Sequence, residues 1–237
     1  MHRFAAAAAF VALLGPIPRA TVPSRATEPS RATVAPRATV AVAGPRAAMP
    51  QSGPPFRLVL APDSSSASWR VREQLVSFDF PNDAVGTTHD VGGAIVVGAD
   101  WQPVPKDSKI TVNLTTLKSD RAMRDRYIQH RTLETDQYPT AVLVPTQFLR
   151  LRTPVPDTGT FTFEIQGNLT VHGITKQTTW LVTAVAKNGS YTGDALTRVK
   201  FEDFNMQQPR VPILLNVEDE INLDLKFDFV RDSTWHG

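Results

Sequence analysis

The chain contains no cysteine, so no disulfide, thiolate nucleophile, cysteine-ligated metal or lipid-modified N-terminal cysteine is open to it. Acidic residues are nearly missing from the first 55 positions, where Glu28 stands against six arginines (Arg3, Arg19, Arg25, Arg31, Arg37, Arg46). That stretch carries +5 and the whole chain +2, so the remainder carries −3. The basic sequence pI of 9.0 therefore belongs to the N-terminal region. A mildly acidic remainder argues against nucleic acid as a partner. The apolar stretch Phe4 to Leu14 has eleven residues, too few to span a bilayer as a helix, and no integral membrane span is expected. The histidines (His2, His89, His130, His172, His236) show neither H-x-H nor H-x-x-x-H spacing, so no metal site is expected. No G-x-S-x-G motif accompanies His89-Asp90, so that pair does not read as catalytic machinery, and no cofactor is implied.

What is present falls into two compositions. Met1-His2-Arg3, the apolar stretch and the Gly15-Pro16 break have the layout of a secretory signal over residues 1–18. This predicts export to the periplasm, cell envelope or exterior; the alternative is an alanine-rich start with no targeting role. Pro18-Arg19-Ala20 matches a cleavage site poorly, and Ala41-Val42-Ala43 matches well but lies far downstream. Residues 19–55 repeat Arg-Ala-Thr every six residues, at Arg19, Arg25, Arg31 and Arg37. Nine prolines fall within the first 55 residues, and bulky apolar residues are missing from the repeats. Such a segment cannot build a packed core and is expected to be a disordered, extended linker.

From Phe56 to about Arg231 the pattern changes to period two. Ile221, Leu223, Leu225, Phe227 and Phe229 alternate with Asn222, Asp224, Lys226 and Asp228. Phe161, Phe163 and Ile165 alternate with Thr162 and Glu164, and Ile110, Val112 and Leu114 with Thr111 and Asn113. Trp69 and Val71 alternate with Ser68, Arg70 and Arg72. Each such run is a strand with one dry and one wet face. Further strands are expected at 56–61, 92–97, 140–151, 178–186 and 191–201. Ser119-Asp120 reads as a helix start, with Met123, Tyr127 and His130 along one face and an end near Leu133. One short helix among eight or nine strands is an all-β domain, barrel or sandwich. The inward rows either fill the core or line a hollow that takes up apolar matter; periodicity leaves both open.

Three stretches carry a resemblance. Arg124-Asp125-Arg126-Tyr127-Ile128 precedes Leu133-Glu134-Thr135-Asp136 and Tyr138-Pro139-Thr140-Ala141. Gly167-Asn168-Leu169-Thr170-Val171-His172-Gly173-Ile174-Thr175-Lys176 follows, then Phe201-Glu202-Asp203-Phe204 and Val217-Glu218-Asp219-Glu220-Ile221. Their order and spacing resemble the YceI-like family of polyisoprenoid-binding proteins, over residues 56–231, with 232–237 as a tail. The resemblance implies an extended eight-stranded antiparallel lipocalin-like barrel with one short helix. It implies an apolar tunnel holding a long-chain isoprenoid or similar lipid, with no catalytic residues. Lining candidates are Trp69, Val71, Ile110, Val112, Leu114, Phe161, Phe163, Ile165, Leu223, Leu225 and Phe227. Head-group candidates are His172 and Arg124. For His172 the alternative is a ring hydrogen bond that ties down its bend; for Arg124 it is a solvated helix face paired with Asp120 and Asp125. A different class of function also stays open: a non-catalytic binding or adaptor domain with a filled core, acting through its outer surface. The sequence departs from the family pattern in three places. Arg72-Glu73-Gln74 stands where many members have a histidine, the loop from Phe78 to His89 is longer than usual, and Asn205 replaces a frequent glycine.

Overall fold

The computed structural model describes residues 53–77 and 79–236. The signal segment and almost all of the linker expected from the sequence lie outside the described residues.

Ten strand segments follow in order: β1 (Phe56–Leu60), β2 (Ser66–Leu75), β3 (Asn82–Thr88), β4 (Val91–Val97), β5 (Lys109–Asn113), β6 (Thr140–Leu149), β7 (Thr158–Val171), β8 (Ile174–Lys187), β9 (Ser190–Lys200) and β10 (Leu214–Arg231). All pairings are antiparallel, in the order β1-β4-β5-β6-β7-β8-β9-β10, and β1 pairs with β10 to close an eight-stranded barrel. The two extra segments prolong strands of that ring. Pro62–Ser64 form one 3-10 turn that separates β1 from β2, because proline cannot donate to the ladder. β10 is eighteen residues long; Leu60 pairs with Phe229 near its end, and β2 takes over from Lys226 to Leu214. β3 then pairs with β2, and His89-Asp90 separate it from β4.

The expected long loop after Phe78 contains a full strand, β3. Asn82 to Thr88 carries one large apolar residue, Val85, so its alternation is invisible in hydrophobicity. It pairs because Ala84 and Gly86 are small enough to sit beneath the β2 side chains opposite. A Cβ at Gly86 would lie 2.3 Å from the Trp69 indole nitrogen.

The helix begins at Ala122 rather than at Ser119-Asp120 and ends at Thr132, beside the expected Leu133. α1 spans Ala122–Tyr127, and Ile128–Thr132 continue it as a wider π-helical turn. Leu133 N–H donates to the Ile128 carbonyl five residues back, at 2.8 Å. Arg121 N-caps α1 without a side-chain bond, and Ser119 is instead held by Asp125 Oδ1, which accepts from its N–H at 2.8 Å and its hydroxyl at 2.6 Å. Met123, placed on the apolar face by spacing, is 75% exposed.

The turn expected at Asn205 forms with φ 53°, the left-handed region that asparagine tolerates. Gly173 has φ 72°, and a Cβ there would meet the Tyr138 ring at 2.7 Å. Both constraints hold the β7–β8 turn and the 3-10 turn Glu202–Phe204 at one end of the barrel.

Candidate functional site: a cavity in one half of the barrel

Small and branched side chains meet inside one half of the barrel and leave space. The cavity has a volume of about 750 Å³. Its wall comes from β2, β3, β5, β6, the ends of β7, β8 and β9 nearest α1, and β10 from Leu214 to Leu225, together with α1, the π-helical turn and residues 209–213. The wall is almost wholly apolar. Such a space excludes water and takes up a hydrocarbon at about 25 cal/mol per Å² buried.

Of the lining candidates, Trp69, Val71, Ile110, Val112, Leu114, Leu223 and Leu225 lie on this wall. Phe161, Phe163, Ile165 and Phe227 do not. They belong to the opposite half, where aromatic rings pack on one another. There Phe161 stacks on Phe163 with centroids 5.8 Å apart, and Phe148 meets Phe163 edge-on at 5.6 Å. Tyr191 meets Phe161 at 6.4 Å, and Phe227 packs on Phe229 at 5.4 Å. Trp180 lines the cavity at the level where the two halves meet, and the next inward residue on its strand, Val182, is 1% exposed outside the cavity. Its indole N–H donates to Thr178 Oγ1 at 2.9 Å, which fixes the ring.

Sequence reasoning missed wall residues that lie outside the strands: Leu117, Tyr127, Ile128, Leu133, Phe204, Met206, Pro209 and Val211 to Ile213. Pro209 and Pro212 remove the period-two signal there. Residues 209–213 are held against α1, where the Arg210 N–H donates to the Tyr127 hydroxyl at 3.4 Å, and against β2, where the Val76 N–H donates to the Ile213 carbonyl at 3.0 Å. At this end Val76, Met123, Ile213 and Leu215 are exposed apolar residues. The cavity thus reaches the surface between α1, the 209–213 run and the β2–β3 hairpin.

Charge on the wall is confined to Glu73, Arg121, Arg124 and Asp224. Glu73 points inward from β2 and is 7% exposed. Arg124 Nη2 from α1 meets Glu73 Oε1 at 2.5 Å, and Arg124 Nη1 binds Asp120 one turn back. Asn82 Nδ2 also donates to Glu73 Oε1, at 3.4 Å. The position that departs from the family pattern therefore ties α1 onto the barrel wall. Arg121 Nε lies 3.6 Å from Asp120. Burial is the main cause that pushes the Asp224 carboxyl above its ordinary value, with the Asp194 charge on β9 adding to it.

Arg124, one head-group candidate, thus stands on the cavity wall. His172, the other, does not. It sits in the β7–β8 turn with φ 51°, and its Nδ1–H donates to the Phe204 carbonyl at 3.1 Å. Its Nε2 lies 3.2 Å from Glu134 Oε2 without hydrogen-bond alignment, a contact that is an ion pair only when the ring is protonated. The Tyr138 ring packs edge-on against it at 4.7 Å. His89 and Asp90 lie at the β3–β4 break, away from the wall residues, and His89 Nδ1 bonds the Ser65 carbonyl at 3.3 Å. Among the described residues, no cluster of three His, Asp or Glu is placed to hold a metal ion.

Comparison with known proteins adds three findings. The model of the YceI-like domain matches residues 58–229. A UPF0312 protein of Azotobacter vinelandii is 30% identical over 155 residues, covering 62% of this chain and 73% of that protein. A UPF0312 protein of Pseudomonas putida is 34% identical over 136 residues, covering 54% of this chain and 65% of that one. Among solved structures, a polyisoprenoid binding domain from Saccharophagus degradans, implicated in plant cell wall breakdown, superposes with a TM-score of 0.60 at 9% identity. That match covers 75% of this chain and 99% of the domain. Burkholderia cenocepacia BcnA superposes with a TM-score of 0.52 at 15% identity, covering 71% of this chain and 98% of BcnA. At these identities the structural matches establish the barrel fold alone.

Proposed function

The chain belongs to the YceI-like domain family, and on that premise we propose that it binds and sequesters or carries a long-chain isoprenoid-like lipid. The observation that carries this reading is the apolar cavity of about 750 Å³ in one half of the barrel. At roughly 30 Å³ per water-sized group, that volume takes on the order of 25 heavy atoms, about five isoprene units. A longer chain would leave one end at the mouth beside Met123 and Ile213. The polyisoprenoid-binding domain of Saccharophagus degradans, which shares the fold, supports the choice of ligand class. A binding role is supported by that same polyisoprenoid binding domain.

The reading includes export. The basic start, the apolar stretch to Leu14 and the Gly15-Pro16 break support a signal segment, with residues 19–55 as a spacer ahead of the barrel. No described helix is long and apolar enough to cross a membrane.

Solvent extraction of the purified protein followed by mass spectrometry tests the proposal. A co-purifying long-chain lipid, or uptake of added polyprenol by protein stripped of lipid, is the expected result. Repeated absence of both would defeat it. A second reading, an adaptor acting through its outer surface, draws on Leu181 and Leu196. These face each other across β8 and β9 and are 53% and 47% exposed.

A further inference from the structure

The mouth of the cavity is ringed by apolar side chains that face water. Val76 and Phe80 stand in the turn between β2 and β3, Met123 on α1, and Ile213 and Leu215 on either side of Leu214, where β10 begins. Each is more than half exposed. Met123 and Ile213 also line the cavity, so this surface continues into its inner wall. The segments are joined to one another: the Val76 N–H donates to the Ile213 carbonyl, and the Arg210 N–H to the Tyr127 hydroxyl. Exposed apolar residues scattered singly need no explanation, but a group gathered around one opening marks a contact surface.

Arginine side chains stand among them. Arg126 lies one turn along α1 from Met123, and Arg210 is held beside Tyr127. Both are exposed, and neither side chain has a hydrogen bond or ion pair among the described residues. The acids of the same segments are mostly engaged. Asp120 is taken by Arg124 with Arg121 nearby, and Asp125 accepts from Ser119, which leaves Asp79 exposed beside Phe80. An apolar rim set with unpaired arginines suits a bilayer interface. The apolar side chains enter the acyl boundary, and the guanidinium groups meet lipid phosphates. A second copy of this chain fits less well. In a two-fold contact the surface would face itself and bring Arg126 and Arg210 against their own copies.

The cargo makes the same demand. Every methylene that leaves a bilayer for water costs free energy, so a chain long enough to fill the cavity escapes slowly on its own. A mouth seated in the bilayer lets that chain pass from one apolar medium to another.

We infer that the rim of Val76, Phe80, Met123, Ile213 and Leu215 docks on an anionic bilayer, with Arg126 and Arg210 on its phosphates, and that lipid enters and leaves through this contact. This rests on the lipid-carrier reading above and adds to it the place of exchange.

The test uses the full chain, vesicles of phosphatidylcholine with and without phosphatidylglycerol, and geranylgeraniol as cargo. Flotation reads vesicle binding, and movement of geranylgeraniol from donor to acceptor vesicles reads exchange. Uptake from cyclodextrin, with no vesicle present, reads carriage alone, and thermal midpoints control for folding. The natural chain is expected to bind the phosphatidylglycerol vesicles more tightly, and its transfer rate should rise with acceptor concentration. Phe80→Ser combined with Leu215→Ser, both off the cavity wall, should weaken vesicle binding and slow transfer about tenfold or more. Uptake from cyclodextrin should be unchanged in that variant. Arg126→Gln combined with Arg210→Gln should weaken binding to phosphatidylglycerol vesicles about tenfold and leave binding to pure phosphatidylcholine as it was. Transfer that is independent of acceptor concentration overturns the inference and leaves lipid carriage standing. So does a Phe80→Ser, Leu215→Ser protein that floats like the natural chain, which would assign vesicle binding to the N-terminal arginines. A dimer of the natural chain that this same variant dissolves also overturns it, by making the rim a contact between copies. Failure to take up geranylgeraniol from either cyclodextrin or vesicles overturns the carrier reading, and the exchange step with it.

Discussion

The two halves of this barrel are built from the same strands and behave as different materials. In the half holding β1 and β4, Phe148, Phe161 and Phe163 pack on one another and Phe227 packs on Phe229, and none of them lies on the wall of the cavity. In the half beneath α1, Val71, Ala84, Ile110, Ala141 and Leu223 face one another across open space. β10 runs through both: Leu225 belongs to the hollow and Phe227, two residues on, to the filled end. Rings stacked across the interior of an eight-stranded barrel fill it, whereas aliphatic side chains of three or four carbons do not reach across. Fold stability is therefore concentrated at one end and room for a ligand at the other.

The largest expected effect breaks that asymmetry from the filled side. Phe227→Ala removes a ring packed on Phe229 and should cost about 3–5 kcal/mol in urea unfolding. Leu223→Ala, on the hollow side, should cost about 1 kcal/mol, because its neighbours already face space. Equal costs at the two sites would erase the distinction between the halves.

Arg124→Met comes next. It leaves Glu73 nearly buried with Asn82 alone and should cost about 3 kcal/mol, again by urea unfolding, while α1 loses its tie to β2. A loss below about 1 kcal/mol would mean the pair is screened by solvent and does not hold α1 down.

Overpacking sharpens the comparison further. Ala184→Phe inserts a ring beside residues that are already closed and should destabilise by about 1–3 kcal/mol. Ala141→Phe points a ring into the cavity and should leave the urea midpoint nearly unchanged while polyprenol uptake falls by about tenfold or more.

The smallest effect concerns acid dependence. Burial raises the Asp224 carboxyl above its ordinary value. The fold thus favours the protonated form, so stability is lost as pH rises through the raised value. Asp224→Asn should be more stable than the natural chain at neutral pH, by at most about 0.5 kcal/mol after screening. The gap should close as pH falls below the ordinary carboxylate range. Thermal midpoints across pH 3 to about 8 would show it, and a gap that widens in acid would reverse the sign.

Much of the fold was legible because alternation reports which face a side chain takes. Trp69 and Val71, Ile110 and Val112, and Leu223 and Leu225 all turned inward onto the cavity. Alternation does not report depth along the barrel axis. For that reason Phe161, Phe163 and Phe227, with the same pattern, were grouped with them although they close the other end. Side-chain size is only part of the clue, because phenylalanine rings packed on one another close the filled half while Trp69 and Trp180 line the cavity. β3 escaped notice because Ala84, Gly86 and Thr88 carry its inward face. The mouth escaped because Pro209 and Pro212 interrupt any period. Glu73 could be seen only as a departure from the family pattern. Its partner, Arg124, lies 51 residues away and is brought to it by the fold.

The central claim is that lipid occupies the α1 half and stops at Trp180. A crystal structure of the full chain loaded with geranylgeraniol tests it most directly. The account predicts continuous ligand density from the Met123 and Ile213 mouth, past Trp69, ending at the Trp180 ring with the phenylalanine cluster undisturbed. Density among Phe161, Phe163 and Phe227 with those rings displaced, or on the outer face at Leu181 and Leu196, would contradict it.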